Sequence, residues 1–166
     1  RLFGSDRPYE DRNAEELMQE VAEIRNKHRL EDNYFLYEEH VQKIQLIVHN
    51  QGDNPIENAS LSLVLPNHNS FYVASQLPML RKEDKWVERG PAARSSYPAV
   101  NLKDDSIHVS STLGEISTDA PVQVFETPLR LCIGQELRGR KIGIRYSVYG
   151  SNLRKPAKGR LKLLFR

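Results

Sequence analysis

Apolar and polar positions change rhythm once along this chain. Between Asp11 and Arg29, the residues Ala14, Leu17, Val21, Ile24 and His28 recur at steps of three and four, which puts a narrow apolar stripe on one face of a helix. Asn13 stands where an N-cap belongs. Glu15 and Glu16 follow in the first turn, and Arg25, Lys27 and Arg29 come late, the charge order that a helix dipole favours. A long coiled coil wants three or four heptads, and this stripe holds only about five residues. The helix is therefore expected to be a connector, docked on a sheet or on a neighbouring domain.

From about residue 40 the period becomes two. In the stretch 40–50, Ile44, Leu46 and Val48 alternate with Lys43, Gln45 and His49, as in a half-buried strand. Gln51-Gly52-Asp53-Asn54-Pro55 supplies a turn. Leu61, Leu63 and Leu65 mark a second strand that stops at Pro66, and Phe71–Ala74 a short third. No period survives in 77–97, where prolines and the run Arg81-Lys82-Glu83-Asp84-Lys85 predict a loop. Trp86 inside it either pins the loop to the core or is offered to a partner. Strands are further predicted at 100–102, 107–111, 122–125, 129–133, 142–148 and 161–165, with a hairpin turn at Lys103-Asp104-Asp105-Ser106. Eight or nine strands in roughly this spacing, with no helical pattern among them, predict an antiparallel β-sandwich. The expected organisation is an N-terminal segment with the connector helix over 1–39 and a sandwich over 40–166.

Composition narrows the class without naming a chemistry. The 166 residues are 39% apolar and 28% charged, enough for one core and too mixed for a disordered or collagen-like chain. The sequence begins at Arg1 and is expected to be a segment of a longer protein. One cysteine, Cys132, excludes an intrachain disulfide, and with no apolar leader a reducing, cytoplasmic setting is expected. The net charge of +2 hides a split: residues 1–127 hold 13 Lys and Arg against 21 Asp and Glu, whereas 128–166 hold 11 basic residues against Glu136 alone. Such a split marks either a basic face for anionic partners or two halves that attract each other.

Signals for chemistry are few. The five histidines never stand at metal-ligand spacing, Cys132 sits in an apolar run, and no nucleophile elbow, phosphate-cradling loop or dinucleotide fingerprint occurs. No catalytic, cofactor-binding or metal-binding residue is assigned, and the chain is expected not to be an enzyme. Asn58-Ala59-Ser60 fits the glycosylation acceptor pattern, which is common by chance. The basic end is different. Arg138, Arg140, Lys141 and Arg145 lead into and along one strand, and Arg154, Lys155, Lys158, Arg160 and Lys162 crowd the next loop and strand. If the two strands pair, Arg145, Arg160 and Lys162 share a face and form a stripe for phosphates. The competing expectation is that carboxylates of the acidic half neutralise them. Tyr149 is a candidate stacking ring, while Tyr146 belongs to the apolar face.

The order of these features resembles a known family. A charged helix, then Ile44–Val48 running into His49-Asn50-Gln51-Gly52-Asp53-Asn54-Pro55-Ile56-Glu57-Asn58-Ala59, resembles the opening of a small Ig-like β-domain. Arg145-Tyr146-Ser147-Val148-Tyr149-Gly150-Ser151-Asn152-Leu153-Arg154-Lys155-Pro156 with Gly159-Arg160-Leu161 resembles its closing strands. The combination is similar to the C-terminal accessory region of bacterial Schlafen-like DNA-binding ATPases and related defence-linked intracellular proteins. That resemblance implies an Ig-like, non-catalytic interaction or sensing module that positions or regulates an attached effector domain. The expected partners are that attached domain or another protein chain, with nucleic-acid or nucleotide-phosphate binding through the basic C-terminal strands as the alternative and no membrane; from the 77–97 loop, Trp86 is the candidate protein contact.

Overall fold

A computed structural model describes residues 8–83 and 85–165. In chain order, helix α1 (Ala14–Tyr34) continues through a π-helical turn (Phe35–Glu39) into β1 (Gln42–Ile44) and β2 (Ile47–His49). Then come β3 (Ile56–Pro66), β4 (Phe71–Val73), β5 (Leu80–Lys82), β6 (Lys85–Val87), the short helix α2 (Pro91–Ser95) and β7 (Ala99–Leu102). The chain closes with β8 (Ser106–Ile116), β9 (Pro121–Gln123), β10 (Leu129–Ile133), β11 (Lys141–Tyr149) and β12 (Ala157–Leu164).

One layer is a five-stranded sheet in the order β12-β11-β3-β8-β7, antiparallel throughout. Leu61, Leu63 and Leu65 of β3 alternate inward with Ile107 and Val109 of β8 and with Ile142, Ile144 and Val148 of β11. The other layer is β1-β10-β4, extended by the pair β2-β9. Phe71, Val73, Leu129 and Leu131 from this layer join the same buried cluster. The fold is thus mainly β, a sandwich-like pair of layers with one long N-terminal helix. Period-two alternation buries one side chain in two along most of β3 and β11, whereas β10 buries Leu129 to Cys132 without a break, and the apolar faces leave water against each other.

The strand expected over 40–50 is broken. Ile44 lies opposite Leu129, whereas Ile47 lies opposite Gln123, so the return strand spends more residues on the step than its partner does. Gln45 fills the gap with its carboxamide. Its Oε1 accepts from the Phe125 N–H at 3.1 Å, and its Nε2 donates to the Phe125 carbonyl. A side-chain amide thereby replaces one rung of the ladder, and apolar alternation carries on across the break.

Two other expectations change. The 77–97 segment is not a bare loop: it holds the β5–β6 hairpin and α2. Both are too short to show a period, and twelve strands among the described residues replace the eight or nine expected. The helix also starts at Ala14 and runs past Arg29 to Tyr34. Asn13 caps it through a reciprocal box: Asn13 Oδ1 accepts from the Glu16 N–H at 2.9 Å, and Glu16 Oε2 accepts from the Asn13 N–H at 3.3 Å. Its apolar stripe does not dock on the sandwich, since Met18, Val21 and Ile24 are 73%, 45% and 38% exposed. Among the described residues, no helix is long and apolar enough to cross a membrane.

Attachment of the helix runs through Glu38. Its carboxylate accepts from Arg130 Nε at 2.9 Å and from Arg89, and Lys43 Nζ lies 3.8 Å away. Arg130 is only 5% exposed and sits on β10. Removing the carboxylate would leave that guanidinium desolvated and unpaired, so Glu38→Ala is expected to cost about 3 kcal/mol in urea unfolding. Glu38→Leu combined with Arg130→Met is expected to recover most of that loss, because the buried charge goes with its partner.

Candidate functional site

β11 and β12 pair over their full length, with Arg145 directly opposite Arg160, Gly143 opposite Lys162, Ser147 opposite Lys158 and Lys141 opposite Leu164. Ile142, Ile144 and Val148 point into the core, so these four pairs line the outer face. The stripe expected from sequence is assembled: Arg145, Arg160 and Lys162 share one surface with Lys141 and Lys158, and all five are exposed.

The flanking turns extend it at both ends. Between β11 and β12, Asn152 ties the loop to β3: its Oδ1 accepts from the Glu57 N–H at 3.1 Å, and its Nδ2 donates to the Pro55 carbonyl at 2.8 Å. The Ser151 N–H donates to the Glu57 carbonyl at 2.8 Å, and Asn58, with φ +47 at a β-bulge, donates to Ser151 Oγ. The exposed Arg154 and Lys155 therefore project from an anchored turn. At the other end, Gly139 adopts φ +76 and donates its N–H to the Phe165 carbonyl at 2.8 Å. Arg138 and Arg140 flank that glycine and are exposed. The eight steps between the nine residues of β11, at about 3.3 Å each, make it roughly 26 Å long, and the hairpin carries cations along that length.

Gly159 on β12 lies opposite Tyr146 of β11 and leaves room for its ring. A Cβ there would lie 2.5 Å from the Tyr146 hydroxyl oxygen and 2.6 Å from the ring, so the half-buried Tyr146 covers the glycine from the inner side. Tyr146 is part of the packing, as its place on the apolar face predicts, while Tyr149 is exposed at the upper end of β11.

No described carboxylate forms an ion pair with any of the nine cations. Among the described residues, the ion pairs gather at Glu38, Glu31, Glu88, Glu20 and Asp119, and none reaches Arg138, Arg140, Lys141, Arg145, Arg154, Lys155, Lys158, Arg160 or Lys162. The expectation that the acidic half answers the basic end by contact is not met. Like charges directly opposite each other on a ladder are destabilising, and Arg145 faces Arg160 with no described carboxylate to offset the repulsion.

The outer face grades from cations to hydroxyls. Tyr149, Ser147 and Arg145 lie opposite Ser60, Ser62 and Val64 of β3, which in turn face Thr112, Ser110 and His108 of β8. A polar trough of 850 Å³ opens there, lined by Ser60, Ser62, Ser96, Ser110, Glu126 and Tyr149 among others.

The remaining candidates are placed as follows. Cys132 is buried, and burial pushes its thiol up, away from the thiolate that nucleophilic chemistry needs. Trp86 is half-buried in the β5–β6 hairpin, edge-on to Tyr34 at 5.7 Å with the Arg81 guanidinium 6.0 Å from its ring. It pins the hairpin to the end of α1 rather than to the sandwich core. Among the described residues, no group of three His, Cys, Asp or Glu side chains is arranged to hold a metal ion.

Sequence reasoning missed one buried polar group. The Tyr97 hydroxyl donates to the Ala74 carbonyl at 3.0 Å and accepts from the Arg130 N–H at 3.2 Å. Desolvation by burial pushes it up to about 12. A free tyrosine ionises near 10, so the unfolded chain loses this proton first. Stability is therefore full below about pH 10 and falls as pH rises from there towards 12. Tyr97→Phe is expected to cost about 1–3 kcal/mol at neutral pH by orphaning both backbone groups, and to flatten the alkaline loss. Urea unfolding at pH 7 and pH 10.5 checks both.

The chain matches no family model, no curated protein and no solved structure.

Proposed function

We propose that this domain is a non-catalytic accessory module that holds the phosphate backbone of nucleic acid on the β11–β12 hairpin, for a domain or partner to which it is attached. One observation carries the reading: Arg145 stands directly opposite Arg160 on an exposed sheet face where no described carboxylate pairs with either. A fold has no use for two opposed, unneutralised guanidinium groups, whereas a chain of phosphates removes the repulsion and gains charge-assisted hydrogen bonds. The stripe is about as long as seven or eight base pairs at about 3.4 Å each. Among the cations only Tyr149 offers an exposed ring, so binding is to backbone and independent of base sequence. The resemblance to accessory regions of Schlafen-like DNA-binding ATPases, and with it an intracellular, defence-linked setting, agrees with this reading.

Fluorescence anisotropy with labelled 20-nucleotide single and double strands tests it. Affinity is expected to fall steeply with salt, and Arg154→Glu with Lys155→Glu and Lys158→Glu to abolish binding at physiological salt. Arg160→Glu separates function from structure. It places opposite charges across the ladder and is expected to raise stability by about 0.2–1 kcal/mol while lowering affinity and flattening the salt slope. No binding at about 50 mM salt, or Arg160→Glu that destabilises and leaves affinity unchanged, overturns the reading.

A further inference from the structure

The first four turns of α1 leave the sandwich without support from it. Residues advance about 100° each around a helix axis. Leu30, Asn33, Tyr34 and Tyr37 are partly buried toward the sandwich, which sets its direction, and Val21, Ile24 and His28 then lie on roughly the opposite side. The stripe faces solvent. Leu17 and Val21 of the stripe border an open depression shared with Met18, Ala22, Arg25 and Asn26. Helices gain most of their stability by packing an amphipathic face, and among the described residues Val21 and Ile24 of this face stay 45% and 38% exposed.

The stripe is heptad-like, with Ala14, Val21 and His28 in one core series and Leu17, Ile24 and Glu31 in the other. Charge then selects the occupant. Glu15, Glu16, Glu20 and Glu23 fill the N-terminal half, and Arg25, Lys27 and Arg29 the half that follows. A second α1 running the other way sets Glu20, which also pairs with Arg12 of its own chain, beside a basic flanking residue. A parallel copy would stack Glu31 on Glu31 and His28 on His28. In the antiparallel arrangement, Val21 meets Ile24 of the second copy, Leu17 meets His28 and Ala14 meets Glu31. Glu20 then flanks Lys27 of the second copy, and Lys27 its Glu20.

We propose that α1 is a homodimerisation element, pairing antiparallel with α1 of a second copy of this chain. The contact is short and belongs with interfaces below about 1,200 Å² in total, so association is weak and concentration-dependent. Dimerisation brings two basic hairpins onto one nucleic acid, but it does not depend on that activity and is measured without it.

Sedimentation velocity of the chain across the micromolar to hundreds of micromolar range tests the proposal. A reversible monomer–dimer equilibrium is expected, and Val21→Glu with Ile24→Glu is expected to abolish it. Both positions are exposed, so thermal unfolding of the sandwich should be unchanged, which circular dichroism checks. Glu20→Lys and Lys27→Glu are each expected to weaken the dimer about two- to tenfold. Combined in one chain, they are expected to restore it. In a parallel pair the flanking neighbours would instead be Glu20 with Arg25 and Lys27 with Asp32, both favourable, and the combined swap would turn both into like-charge contacts. The swap therefore tells the two directions apart. A monomer at every concentration, a dimer indifferent to the Val21 and Ile24 changes, or a combined swap that weakens the dimer further overturns the proposal.

Discussion

One carboxylate decides how the helix sits on the sandwich. Glu38 lies at the end of the π-helical turn, and its oxygens are shared by Arg130 from β10, Arg89 from the segment after β6 and Lys43 from β1. Two poorly solvated guanidinium groups share one carboxylate while Lys43 stays half-exposed, which is a costly way to gain stability. What the arrangement gains is geometry. Helix, hairpin segment and the strands β1 and β10 of the second layer meet at one point, and with the Tyr34–Trp86 and Glu31–Arg81 contacts it sets the direction of α1. With Glu38 held inward, Leu30, Asn33, Tyr34 and Tyr37 face the sandwich, and the apolar stripe of Val21 and Ile24 is turned to water.

The sandwich itself rests on the β3–β8 pair at the centre of the large sheet. Leu61, Leu63, Leu65, Ile107 and Val109 are nearly inaccessible to solvent, and both strands run for 11 residues. Their burial comes from simple alternation, so this part of the fold was legible in the sequence, as were the stop at Pro66 and the Lys103–Ser106 turn, where the Lys103 N–H donates to the Ser106 carbonyl at 2.9 Å. The break between β1 and β2 was not legible. Ile44, Leu46 and Val48 keep their alternation across it, and the irregularity belongs to the distant partner strand around Phe125. The β5–β6 hairpin and α2 were illegible because strands of three residues and a helix of five carry less than two full periods.

The candidate site divides in the same way. That Arg145, Arg160 and Lys162 would share a face could be read from period two and a short connection. That no described carboxylate pairs with them could not, because ion pairing depends on where the acidic half folds. The described carboxylates that do form ion pairs form them elsewhere: Glu38 and Glu31 hold the helix and the hairpin, Glu88 pairs with Arg94, and Asp119 lies beside His49. The Glu38–Arg130 contact itself spans 92 positions of sequence, beyond the reach of any local pattern.

Edge protection is a plainer purpose for the basic strand. β12 is an edge strand, and charged side chains, lysine above all, discourage edge-to-edge pairing with other chains. Lys158, Arg160 and Lys162 would serve that purpose on their own. Edge protection does not extend to Arg145, which lies on β11 with a paired strand on either side, nor to Arg138, Arg140, Arg154 and Lys155 in the turns beyond the strand ends. It also predicts an edge in which opposite charges across the ladder would serve as well as like ones, and would be more stable. The opposite edge shows how little protection costs this fold: β7 has four residues and carries no Lys or Arg, its shortness limiting what could pair with it. The cations of β11 and β12 exceed what an edge requires, and the excess is concentrated where a linear polyanion would lie.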